Sequence, residues 1–164
     1  VDGEKHFCTR AVYVNWMDSI LTKKTVPDSA LVNDSLYGND PVDIVDDWVT
    51  VAEDGYLTLR FSTLWGNRGI VHKVNLLTGG NPDNPYEVEF RHDACGDAGS
   101  WRSDALVAFD LGKLPDTGGR TVKLTLVWQS FRGRRTAEFD YCTRKKTGNV
   151  ARQIEQMQRG GMLR

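Results

Sequence analysis

The sequence predicts an all-β protein, an antiparallel immunoglobulin-like β-sandwich of about seven strands with a short C-terminal helix. Three observations point there. Tyr56-Leu57-Thr58-Leu59-Arg60-Phe61 and Tyr86-Glu87-Val88-Glu89-Phe90-Arg91-His92 alternate apolar and polar residues, the signature of a half-buried strand. Further apolar runs follow at short intervals with turn residues between them. Helical spacing is confined to residues 149–159, where Val150, Ile154 and Met157 share one face and Gly160-Gly161 supply a stop.

Taken in order, the first expected strand is Arg10–Trp16, followed by a shorter extended piece around Ile20-Leu21-Thr22-Lys23 that Pro27 ends. From there to Pro41 the chain is rich in Asp, Asn, Ser and Gly and reads as a surface connection. Trp48–Ala52 resumes alternation, and Glu53-Asp54-Gly55 forms a hairpin loop in which Gly takes a positive φ. Ile70–Leu77 runs through the turn residues 78–85 into Tyr86–His92. After a polar loop over residues 93–104 come Leu106–Leu111, Thr121–Trp128 and Thr136–Tyr141, the last two facing inward through Val122, Leu124, Leu126, Trp128 and Ala137, Phe139, Tyr141.

A chain of 164 residues suits one domain with a flanking piece. Its 40% hydrophobic and 26% charged residues are ordinary for a globular protein, and no apolar run approaches the roughly 20 residues of a membrane-spanning helix. It begins at Val1 without a basic-then-apolar leader, so any signal sequence is expected to lie outside it. Residues 25–59 hold eight acids and no Lys or Arg, whereas residues 132–164 carry nine Arg and Lys against three acids. Arg132, Arg134 and Arg135 precede a strand and Arg144, Lys145 and Lys146 follow it, which places the two groups about 30 Å apart. That separation argues against a nucleic-acid surface and for solvated strand ends. Cys8, Cys95 and Cys142 are too few and too scattered for a disulfide framework or a cysteine-based zinc site. On composition and pattern, residues 26–46 read as an acidic linker, 47–146 as the sandwich and 147–164 as a basic tail with a short helix.

The candidate chemistry is sparse. If Val74 pairs with Phe90 and Leu76 with Val88, then His72 sits opposite His92 at a Cβ separation of about 4.5–5.5 Å, with Asp93, Cys95 and Asp97 in the adjoining loop. His72, His92, Asp93 and Asp97 are therefore a candidate metal set, of zinc type. The ordinary alternative is that two amphipathic rings close an apolar ladder and hydrogen-bond locally, and a one-residue slip would send one ring to the other face. The acids of residues 93–104 lack the alternate spacing of a calcium loop, and none of Ser62, Ser100, Ser103 and Cys95 sits in an activating frame. The chain is accordingly read as non-enzymatic, with no cofactor implied. Trp65 with Arg68, and Trp101, lie in loop-like sequence where sandwich ends often bind partners, and they are the candidate binding residues. Their alternative role is to cap the core.

Several motifs taken together resemble the NigD-like proteins of Bacteroides and its relatives: Ile20-Leu21-Thr22-Lys23, Gly38-Asn39-Asp40-Pro41 leading to Trp48, Gly55-Tyr56-Leu57-Thr58-Leu59, His72-Lys73-Val74-Asn75-Leu76, Phe90-Arg91-His92-Asp93 with Gly96-Asp97, and Val107-Ala108-Phe109-Asp110-Leu111. The resemblance covers about residues 10–142. It implies a bacteriocin-associated lipoprotein of the cell envelope, attached to a membrane only through a lipid anchor, with an N-terminal OB-type domain before an immunoglobulin-like sandwich. Residues 1–25 would then be the exit strand of that first domain. The expected partner is a protein or glycan at the envelope, and the family supplies no catalytic residues.

Overall fold

The computed structural model describes residues 19–144, and they form two five-stranded sheets packed face to face. The first combines β1 (Leu21–Lys24), β8 (Trp101–Asp110), β5 (Tyr56–Trp65) and β3 (Asp43–Ile44) in that order, with β4 (Val51–Glu53) also on β5. The second runs β10 (Gly133–Tyr141), β9 (Val122–Ser130), β7 (Glu87–Asp93), β6 (Lys73–Thr78), β2 (Val26–Pro27).

Period-two alternation builds the core directly. Leu57, Leu59 and Phe61 of β5 and Val107 and Phe109 of β8 face Val74 and Leu76 of β6, Val88 and Phe90 of β7, and Leu124, Leu126 and Trp128 of β9, all buried in one cluster. Phe90 stands edge-on to Phe109 at 6.1 Å and tilted to Phe61 at 5.3 Å, so aromatic contacts tie the two sheets together. Between β4 and β5 the hairpin loop is Asp54-Gly55, with φ of 51° and 82°; two successive positive values match the strand twist, which is why Gly follows Asp there.

The expected fold is corrected in three respects. There are ten strands among the described residues, not about seven: β1 falls on the extended piece expected around Ile20–Lys23, and β2 and β3 are two residues long, too short to show alternation. Pairing is mixed where uniform antiparallel pairing was expected: β1 on β8, β2 on β6 and β7 on β9 are parallel. The cause is the path of the chain, which leaves β7, crosses to the other sheet for β8 and returns in its original direction as β9. Finally, helical structure among the described residues is confined to a 3₁₀ turn, Ala30–Val32, and one helical turn, α1 (Asn33–Tyr37), near the start of the chain. The C-terminal helix expected over residues 149–159 lies outside the described residues, as do the strand Arg10–Trp16 and Cys8.

Helix α1 lies over the outer face of β6 and β7. Arg91, whose side chain is 9% exposed, holds it there by donating to Asp34 and, at 3.3 Å, to the carbonyl of Gly38. Gly38 itself has φ of 72°, and a Cβ built on it would lie 2.7 Å from both Asp93 Cα and the His92 carbonyl oxygen, so only glycine lets the chain pass this close to the end of β7.

Phe109 is fully buried between the sheets. Phe109→Ala is expected to lower unfolding free energy by about 3–5 kcal/mol, seen as a lower urea midpoint at unchanged slope. A loss below about 1 kcal/mol would show that the two sheets do not depend on this contact.

Candidate functional site

At one end of the sandwich four chain segments converge: the end of β5 at Trp65, the return over residues 66–72 into β6, the end of β7 at His92 and Asp93, and the loop of residues 94–100 into β8. The two loops are joined by one carboxylate. Asp97 accepts from the backbone N–H of Gly66 at 2.8 Å and of Asn67 at 3.0 Å, and it lies 3.0 Å from His72 Nε2. His72 Nδ1 is in turn 3.0 Å from His92 Nε2. The side chains of His72 and Asp97 are 2% and 3% exposed, and His92 is equally buried. The indole of Trp65 stacks on His72 at 4.1 Å, nearly parallel, and donates its N–H to the Ser103 carbonyl at 3.1 Å.

Asp97 accepts from His72 Nε2–H, and the contact between His72 Nδ1 and His92 Nε2 carries one proton, held by either ring. His92 Nδ1 is buried, and the backbone of Asp40 beside the ring favours its protonated form. A row of donors and acceptors of this kind fixes ring orientation; it does not surround a point in space.

The sequence pairs His72 with His92, but the register differs by two residues. His92 is the Cα partner of Val74, and Leu76 pairs with Phe90. A shift of two keeps every side chain on its face, so the imidazoles still meet diagonally across the strand ends. Asp97 approaches His72 on the ring edge opposite His92, and Asp93 is turned away to accept the Cys95 N–H at 2.7 Å. Among the described residues no group of three or more His, Cys, Asp or Glu side chains is disposed to hold a metal ion. Cys95 and Cys142 are exposed free thiols.

Trp101 is the Cα partner of Trp65 and remains 44% exposed. Arg68 is exposed on the turn closed by Ile70 N–H donating to the Asn67 carbonyl. Residues without a signal in the sequence complete this end. Arg102 donates to Asp43 at 2.8 Å and lies 4.7 Å over the ring of Phe131, at the tip of the β9–β10 hairpin. Asp40 accepts from the Ala94 N–H at 2.7 Å, anchoring the loop of residues 94–100 to the segment before β3. Asp40, Thr63, His92, Asp97 and Phe131 line a cavity of about 310 Å³.

The family model for the NigD-like C-terminal beta sandwich domain matches residues 24–141. The chain belongs to this family. Two solved structures agree. A protein described as toxin-related, from Parabacteroides distasonis, is 38% identical with a TM-score of 0.69, over 81% of this chain and 66% of that one. A NigD-like immunity protein from Bacteroides caccae is 22% identical with a TM-score of 0.57, over 76% of this chain and 65% of that one, and its likeness is one of fold. This chain thus spans slightly less than two thirds of either relative's length. No curated protein matches it.

Within this NigD-like domain the electrostatics of the end cluster set a pH dependence. Burial, and then repulsion from His72, push the His92 imidazole below its ordinary value of 6.5, while Asp40 and Asp93 oppose the shift. Asp97 is held below the usual carboxylate value of 3.8 first by the Gly66 N–H, against burial, and with help from His72 and Asn67. Both groups bind protons more weakly folded than unfolded, so both contributions are complete above the unfolded values and decline with acid. The His92 part falls away first, as pH drops below 6.5. Thermal melts between about pH 7.5 and about pH 5.5 should show a falling Tm for the wild type and a flatter profile for His92→Phe, whose ring can still pack on Phe61. Parallel profiles would remove His92 as the titrating group.

Proposed function

We propose that this chain is the non-enzymatic binding portion of a cell-envelope lipoprotein, and that its partner is a protein met at the sandwich end carrying Trp101. Family membership supports the general reading, and one fold relative is called an immunity protein while another is called toxin-related. On this reading the role is protective or assembly-related, in the manner of a bacteriocin-linked system. Attachment is through a lipid anchor, and residues 1–25 lead out of a preceding OB-type domain, their last part entering the sandwich as β1.

The observation that carries the binding surface is the contrast within one pair of tryptophans. Trp65 uses its ring face on His72 and its N–H on Ser103, so it serves as a lid on the buried polar chain. Among the described residues its register partner Trp101 has no such engagement and leaves 44% of its surface in water. Large aromatics of this kind are the usual anchors of protein interfaces, where they bury large area at small entropic cost. Arg102 and Phe131 extend the surface, and Arg68 stands on the neighbouring turn. A catalytic reading has less support, because the polar groups of this end are occupied by one another: Asp97 has three partners and the His72 ring has two.

Capture from native membranes tests the proposal. Trp101→Ala is expected to lose the partner recovered by the wild type while its Tm changes by less than about 2 °C. Trp65→Ala is expected to lower Tm by roughly 5–10 °C through loss of the stacked lid. If Trp101→Ala recovers the same proteins as the wild type in the same yield, the binding surface is elsewhere.

A further inference from the structure

Each sheet has two edges, and among the described residues three of the four are short. β1 spans four residues, β3 and β4 share an edge with two and three, and β2 has two, one of them Pro27. The fourth edge is β10, which pairs with β9 alone through nine consecutive residues, Gly133–Tyr141, without a bulge, a proline or a lysine to blunt it. The direction of its free groups follows from β9. The Thr125 N–H donates to the Tyr86 carbonyl on the β7 side, away from β10, so the alternate residues Leu124, Leu126 and Trp128 exchange hydrogen bonds with Phe139, Ala137 and Arg135. The N–H and C=O groups of Arg134, Thr136, Glu138 and Asp140 therefore point off the sheet, and none has a backbone partner among the described residues.

This edge is basic in its first half, at Arg134 and Arg135, and acidic in its second, at Glu138 and Asp140. A parallel copy of the strand would align like charges, whereas an antiparallel copy brings unlike charges together. With Ala137 opposite Ala137 at a two-fold axis all nine residues overlap, and Arg134 meets Asp140 and Arg135 meets Phe139, each pair occurring twice. A shift by one residue would set inward side chains against outward ones. A shift by two either opposes Glu138 to itself or leaves Asp140 and Tyr141 beyond the end of the second strand. Charges already on this surface continue the row, since Asp140 lies 2.7 Å from the exposed Lys123 of β9. Beside Asp140 and Tyr141 a cavity of about 580 Å³, with Glu53 and Asp54 in its wall against the single base Arg144, gives the basic half of an incoming strand both room and negative charge.

We infer that β10 is a self-association edge, on which a second copy of this chain adds its own β10 antiparallel and continues the second sheet across a two-fold axis at Ala137. Main-chain hydrogen bonds from the outward residues hold the two copies, and the Arg134–Asp140 pairs set direction and register. One strand from each copy makes a small contact, which suits a reversible dimer dissociating at about 10–100 μM. The edge is separate from the Trp101 surface and does not depend on the binding role proposed for it.

The test is sedimentation velocity of the full chain from about 5 to about 500 μM, expected to show a reversible equilibrium of monomer and dimer. Thr136→Pro removes an outward N–H and no bond to β9, and it should abolish the dimer while lowering Tm by less than about 5 °C. Arg134→Asp and Asp140→Arg should each weaken the dimer about tenfold, because the two-fold axis repeats each like-charge contact, and the double variant should restore it. A merely structural effect of either substitution would not be rescued in this way. Ala137→Cys should join two copies through that residue on mild oxidation, with mass spectrometry of the joined peptides distinguishing it from Cys8, Cys95 and Cys142. A wild-type chain that stays monomeric at the highest concentration overturns the proposal, as does a dimer indifferent to Thr136→Pro and to both charge reversals. Slow amide exchange at Arg134, Thr136, Glu138 and Asp140 in the dilute monomer would show the edge already covered within one chain, and it too would overturn the proposal.

Discussion

The inner faces of two sheets must be closed from water where the strands end, and at the end that carries the histidines the closure runs through one carboxylate. Asp97 ties the loop after β5 to the loop before β8, and through His72 it reaches the ends of β6 and β7, so one side chain links both sheets. Loops that approach this closely need a backbone without side chains. A Cβ on Gly99 would lie 2.4 Å from Trp65 N and one on Gly66 2.5 Å from Asp97 Oδ1, so the carboxylate seat exists only because glycines flank it. Trp65 then covers what the carboxylate has gathered, and the surface offered by Trp101 is positioned by its register against Trp65.

The parts of the fold legible in the sequence are those governed by period two. Leu57, Leu59, Phe61, Val88, Phe90, Leu124, Leu126 and Trp128 alternate because each lies on a half-buried strand, and they form the core. Strand pairing was much less legible. The parallel contacts arise from crossings between sheets, and nothing local in Val26–Pro27 distinguishes a two-residue strand beside Leu77 and Thr78 from a turn. Helix α1 was hidden for a related reason. Leu31, Val32 and Leu36 stay exposed, so no apolar stripe announces it, and what holds it is an ion pair between Asp34 and Arg91, far apart in the chain. Arg91 Nε lies 3.1 Å from Glu89 Oε1 but out of hydrogen-bond alignment, which leaves the clamp dependent on its contacts with Asp34 and Gly38.

The candidate site was legible in its members and not in its arrangement. His72, His92 and Asp97 could be named because two histidines fall in phase with apolar neighbours and an acid follows in the next loop. Their order in space depends on a register two residues from the simplest one, and on which edge of the His72 ring the loop of residues 94–100 approaches. Those are tertiary facts. The same holds for Arg135 and Trp128, whose pairing needs the hairpin register, and for Arg102, whose contact with Phe131 joins the start of β8 to a distant hairpin tip.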